Sequence, residues 1–264
     1  MLLQYNELPE WYQENPHIVN GYRPPNTLNN FTDIIHTLFS LHNETFNIWS
    51  HIIGVFYFIS IFISIYFEEI ALHYKLVLMG YSLCMVNGLI CSVMYHTFMC
   101  QSHEIYKQCM VCDYQGIVIN IFAGGSIFIF CAFQPHTIII PSLYILIMFC
   151  ILLLISKLIR NNEWDLPKNK LNRTIIFIMN GLSIVVPAIH ALYINTITRY
   201  VVDSILVVIL IKLIGALFYG FRYPEIKYSN RIMDYIGNSH NFMHIFLLSS
   251  STLHFYNMKH SMNL

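Results

Sequence analysis

Leu76-Val-Leu-Met-Gly-Tyr-Ser-Leu-Cys-Met-Val-Asn-Gly-Leu-Ile-Cys-Ser-Val-Met-Tyr-His-Thr-Phe98 contains no Asp, Glu, Lys or Arg. At about 1.5 Å per residue, a helix over this stretch crosses the ~30 Å hydrocarbon core of a bilayer. Working outward, six further stretches of comparable length read the same way: 49–67, 110–133, 137–156, 174–194, 201–221 and 237–256. Gln134-Pro135-His136 reads as a tight turn between the third and fourth spans. The seventh is the least apolar, with Ser249-Ser-Ser251 and three histidines. The expected fold class is therefore an all-α membrane protein, a seven-transmembrane helix bundle.

Composition agrees. Of the 264 residues, 56% are hydrophobic and only 11% charged, whereas soluble domains carry about 25% charge. The formal net charge of zero gives no reason to expect a nucleic-acid partner. Seven cysteines, most inside apolar runs such as Cys84, Cys91, Cys131 and Cys150, read as packing residues rather than a disulfide framework. Met1–Pro25 is polar and broken by proline, without a secretory signal pattern, so the first span is expected to direct its own insertion. The division expected is a 1–48 cytosolic segment, a 49–257 seven-span unit and a 258–264 extracytosolic tail. Within the first, Phe31-Thr-Asp-Ile-Ile-His-Thr-Leu-Phe39 reads as a short amphipathic helix on the membrane surface.

Basic residues set the orientation. Arg23, Lys107, Lys157, Arg160, Lys168, Lys170, Arg173, Arg222, Lys227 and Arg231 fall on the side of the amino terminus; Lys75, Arg199 and Lys259 fall on the other. That bias predicts a cytosolic amino terminus and an extracytosolic carboxyl terminus. The Asn-x-Ser/Thr triplets at Asn30, Asn43 and Asn172 then lie in the cytosol, so none is expected to be glycosylated.

On this map Ser92 and His96 end the second span, Asp113 opens the third, and His240 and His244 open the seventh. Five polar side chains from three distant segments thus reach one depth near the cytosolic boundary. The charge bias was counted without them, so their meeting supports it independently. His240 and His244 at i, i+4 share one helix face and can bind one ion together. His96 would complete a three-histidine set with a fourth position open, as in catalytic zinc sites. Asp113 could hold the water at that position or act on it as general base, and Ser92, one turn from His96, could donate a hydrogen bond. Taken singly, each has a plainer explanation: histidines meet headgroups, and an Asp in a first helical turn suits the helix dipole. Buried together they point to function.

The same residues carry a family resemblance. Gly21-Tyr-Arg-Pro-Pro25, Ser40-Leu-His-Asn-Glu-Thr-Phe-Asn-Ile-Trp-Ser-His51, Ser92-Val-Met-Tyr-His-Thr97, Asp113-Tyr-Gln-Gly-Ile117, Gly181–His190, Phe221-Arg-Tyr-Pro-Glu225, Ser239-His-Asn-Phe-Met-His244 and His254-Phe-Tyr256 resemble the progestin and adipoQ receptor (PAQR) family. That family is related to hemolysin-III-like proteins, and the pattern here is nearest to adiponectin receptors. The resemblance implies a zinc ion near the inner leaflet, with His96, His240 and His244 matching its ligands. Asp113 matches the residue that meets zinc through water, and Ser92 the serine of that site. It also implies a lipid partner (ceramide, another sphingolipid or a sterol) and a ceramidase-like, zinc-dependent hydrolysis of lipid amides. The alternative is a non-enzymatic lipid- or hormone-responsive receptor, or a sterol- and zinc-homeostasis protein, with structural zinc. An extracytosolic ligand would find only short loops. The membrane would be the plasma membrane or an internal one. Cys109-Met-Val-Cys112 and the mid-span Lys212 stand outside the pattern, while His190 and His254 read as packing or hydrogen-bonding residues.

Overall fold

The computed structural model describes residues 2–25, 30–133, 138–161, 169–228 and 230–264. Nine α-helices occupy them: α1 Phe31–Thr37, α2 Thr45–Phe67, α3 Leu72–Phe98, α4 His103–Ala132, α5 Ile139–Ile159, α6 Lys170–Leu182, α7 Val185–Tyr193, α8 Arg199–Phe221 and α9 Ser239–Ser261. Among the described residues there is no strand, only an isolated bridge between Leu3 and Tyr22. Six helical segments are long and apolar enough to cross a membrane: α2, α3, α4, α5, the α6–α7 pair and α8. Phe56, Ile63, Leu143, Leu154, Leu206 and Leu210 all lie exposed on them, as a lipid-facing surface requires. This is an integral, multi-pass membrane protein. α9 is equally long, but its histidines and serines keep it below that apolar threshold.

Local chemistry explains where the helices depart from the hydropathy pattern. α4 starts seven residues before the expected 110, because the Ser102 Oγ accepts the Ile105 amide at its amino end. The expected fifth span is broken between Leu182 and Val185. Pro187, in the first turn of α7, has no N–H to offer the Ser183 carbonyl, and its ring crowds that group. The expected 134–136 turn lies outside the described residues. All seven cysteines are free.

The polar segment before α2 is not a loose tail. Leu8, Tyr12, Ile18 and Tyr22 join a core with Tyr95, Met99, Tyr106 and Ile159, at the end of the bundle where α3 finishes and α4 and α9 begin. The Glu14 carboxylate accepts the Tyr95 and Tyr106 hydroxyls. Buried Arg23 donates to the backbone carbonyls of His96 and Thr97, satisfying acceptors that the end of α3 would leave orphaned.

α3 and α4 close onto each other through glycines. A Cβ on Gly116 would lie 2.8 Å from Gly88 Cα, and one on Gly88 would lie 2.2 Å from Asn120 Nδ2. Small residues at such a crossing let two membrane helices come into backbone contact.

Candidate metal centre

His96 ends α3, and the Arg23 guanidinium fixes that end. His240 and His244 open α9, whose start is equally held. Asn238 Oδ1 accepts the amides of His240 and Asn241 at 3.1 Å, and Glu225 Oε2 accepts the Ser239 amide at 2.7 Å. A carboxylate at this helix terminus also suits the dipole.

The three rings converge, with centroids 4.9 Å (His96–His240), 5.0 Å (His96–His244) and 4.7 Å (His240–His244) apart. One nitrogen from each lies within 4.8 Å of the others, so the group could hold a metal ion. One orphan atom tests the fit. His96 Nδ1 lies 2.8 Å from Glu44 Oε2; a carboxylate can only accept, so Nδ1 carries the proton. That leaves the lone pair on Nε2, which is buried without a hydrogen-bond partner. An imidazole presenting one nitrogen to a carboxylate and the other toward two further histidines has the arrangement of a metal ligand. The residues fit the group.

Glu44 is the residue sequence reasoning missed. Its carboxylate also accepts Asn47 Nδ2 at 2.7 Å and Asn43 Nδ2 at 3.0 Å. Burial pushes its carboxyl up, but the hydrogen bonds it accepts from His96 and Asn47 outweigh that and hold it down to about 2. Asn47 Oδ1 accepts from Asn241 Nδ2 at 2.7 Å, tying α2 to α9. His51 was missed too: it is buried, stacks on His244 at 3.8 Å, and neither ring nitrogen finds a hydrogen-bond partner among the described residues. Glu44, Asn47 and His51 stand at i, i+3 and i+7, one face of α2. That spacing was the available signal.

Asp113 is buried beside this group but is not one of the three converging ligands. Its carboxyl interacts with the Ser92 hydroxyl and the His96 ring. All five sequence-selected residues therefore lie at one end of the bundle. His190 and His254 do not join them: His190 Nδ1 meets Tyr144 Oη and His254 Nε2 meets the Gly124 carbonyl, each at 2.9 Å.

An apolar cavity of about 200 Å³ runs from Asp113 and His240 into the bundle. Of α3, only Tyr95 lines it. The walls come from α4, α6, α8 and α9, with Met148 of α5. At Gly88 and Gly116 α3 and α4 are in backbone contact, so no space opens between them there.

Fold and histidine cluster together define a multi-pass helical membrane protein with a candidate metal centre buried at one end of its bundle. Residues 39–255 match the family model Haemolysin-III related, and the chain belongs to that family. It is 29% identical to the Adiponectin receptor protein of Drosophila melanogaster over 96% of this chain and 57% of that protein, so it spans little more than half of that relative. It is 30% identical to Progestin and adipoQ receptor family member 3 of Homo sapiens over 92% of this chain and 80% of that one. Heptahelical transmembrane protein 1 of Arabidopsis thaliana is 28% identical over 96% and 79%.

Proposed function

We propose that this protein is a seven-span membrane protein whose His96, His240 and His244 bind zinc, and that it hydrolyses lipid amides of the ceramide type. The observation that carries the reading is the orphaned His96 Nε2 facing two further histidines at the mouth of an apolar cavity. The length of α9 and the heptahelical name of the Arabidopsis relative support seven spans. The basic-residue bias supports a cytosolic amino terminus, with 1–48 before the seven-span unit at 49–257 and 258–264 outside.

Zinc, when bound, supplies Lewis-acid polarisation of an amide carbonyl and activation of water. The chain supplies the rest. The cavity takes the acyl chain and brings the amide carbon to the histidine end. Asp113 accepts a proton from the attacking water, and Ser92 holds the carboxyl in place by hydrogen bonding. When the C–N bond breaks, Asp113 returns the proton to the departing amine. Water is consumed, and an acid and an amine leave.

The relatives' names also support a receptor reading, in which the metal is structural and a lipid or an extracytosolic ligand shifts the bundle. Asp113→Asn separates the two, since it keeps an acceptor oxygen but loses basicity. The enzyme reading expects bound zinc to stay near stoichiometric while ceramide hydrolysis falls by about 10²–10⁴. If wild type in lipid releases no more product than a chelated sample, the hydrolase reading fails.

A further inference from the structure

Lys212 lies mid-way along α8, where a charge costs about 2.5–3.5 kcal/mol on insertion scales. It lines the cavity and makes no hydrogen bond or ion pair among the described residues. Two other residues lining the same cavity carry acceptor atoms that are buried without a partner among the described residues. His254 donates Nε2–H to the Gly124 carbonyl, so its Nδ1 is an acceptor, and that atom is buried without a partner. The Asn120 Oδ1 is likewise buried without one. The Lys212 charge is within electrostatic reach of His254. Ten residues of α9 separate His244 from His254, about 15 Å along the helix. The cavity thus has a second polar station some way from the histidine cluster, with Ser251 one turn from His254 and apolar side chains such as Ile205, Val208 and Leu247 around it.

We infer that this station, formed by Lys212, His254 and Asn120, binds a hydroxyl group carried part-way along a lipid chain. With the lipid's amide placed at the histidine end, the donor inventory selects a hydroxyl. A hydroxyl oxygen accepts from the ammonium while its proton is donated to His254 Nδ1 or Asn120 Oδ1. A carboxylate would meet the ammonium but leave both acceptors unsatisfied, and a plain methylene would leave all three polar groups bare. The substrate class is thereby narrowed to lipids with a mid-chain hydroxyl. The inference rests on the proposed function only in placing the lipid's polar head at the histidine end.

The test uses the full chain in detergent with a chelator present, so that metal and hydrolysis do not enter the readout. Equilibrium binding is compared for three probes: hydroxystearamide with its hydroxyl in mid-chain, stearamide, and stearic acid. Wild type should bind hydroxystearamide at least about tenfold more tightly than stearamide, the worth of a buried hydrogen bond to a charged donor. Lys212→Met should lose that preference while binding stearamide as before, which also reports that it is folded. If Lys212→Met binds neither probe, Lys212→Gln is judged by the same criterion. An equal affinity of wild type for the two amides would mean that water alone fills the station and would overturn the inference. So would tighter binding of stearic acid than of hydroxystearamide, or a preference that survives loss of the lysine. None of these outcomes depends on whether the histidines bind zinc.

Discussion

Replacing Glu44 by Gln should weaken zinc binding without touching a ligand. The Glu44 carboxylate accepts three hydrogen bonds, from His96 Nδ1–H at 2.8 Å, Asn47 Nδ2 at 2.7 Å and Asn43 Nδ2 at 3.0 Å. A glutamine offers one acceptor oxygen and an NH₂ that must face at least one of those donors. In a site this buried, an unmet donor costs about 1–3 kcal/mol. The negative charge that stabilises a positively polarised imidazole is lost as well. Loss of such a carboxylate behind a ligating histidine weakens metal binding by about 10–100-fold, or roughly 1.4–2.7 kcal/mol, which matches the hydrogen-bond estimate. The assay is competition for zinc against a calibrated chelator, with purified wild type, Glu44→Gln and His240→Ala side by side. Size-exclusion chromatography checks that each variant is monodisperse. Glu44→Gln should fall between the other two. An affinity within twofold of wild type, while His240→Ala loses the metal, would refute the view that Glu44 sets the tautomer of His96.

A Cβ on Gly116 would meet backbone at 2.8 Å whereas nothing lies within 4 Å of one on Gly80, so Gly116→Ala should cost about 1–3 kcal/mol. Gly80→Ala should be neutral or slightly stabilising, and thermal unfolding in detergent compares the two. Burial and then the nearby Arg23 guanidinium hold His42 well below its ordinary 6.5, at about 3. The unfolded chain therefore takes up a proton between these values that the folded chain refuses. The His42 contribution is complete above about pH 6.5 and falls by about 1.4 kcal/mol per unit as pH drops toward 3; His42→Gln should flatten that slope in a stability–pH profile. An epitope after Leu264 should be labelled on unpermeabilised cells, or be lumenal in an internal membrane, and one before Met1 should be hidden; the reverse labelling would overturn the topology.

The apolar spans were legible because hydropathy over a window of about twenty residues needs no tertiary information. The break at Ser183-Ile184 was readable in principle from Pro187, but its hydropathy does not dip, so it passed as one span. His96, Asp113, His240 and His244 were legible because polar groups are rare in such spans and the orientation brought them to one depth. Glu44 was not, since it lies 52 residues from His96 in sequence, within a polar stretch where a carboxylate attracts no notice. The fold of residues 2–25 was hidden for a similar reason. Tyr12, Tyr22 and Arg23 follow no helical or strand period, and their burial depends on contacts with Tyr95, Tyr106 and the end of α3. The close approach of α3 and α4 at Gly88 and Gly116 was not legible either, because hydropathy does not report how near two helices come.

The most direct test of the account is the metal content of the purified protein, measured by elemental analysis after exposure to zinc and exhaustive buffer exchange. Wild type should carry close to one zinc per chain and His244→Ala almost none, because three nitrogens are the minimum for an open zinc site. His190→Ala, whose ring serves Tyr144 instead, should carry as much as wild type. A wild type without zinc, or a His244→Ala variant that keeps a full equivalent, would contradict the assignment of the histidine cluster.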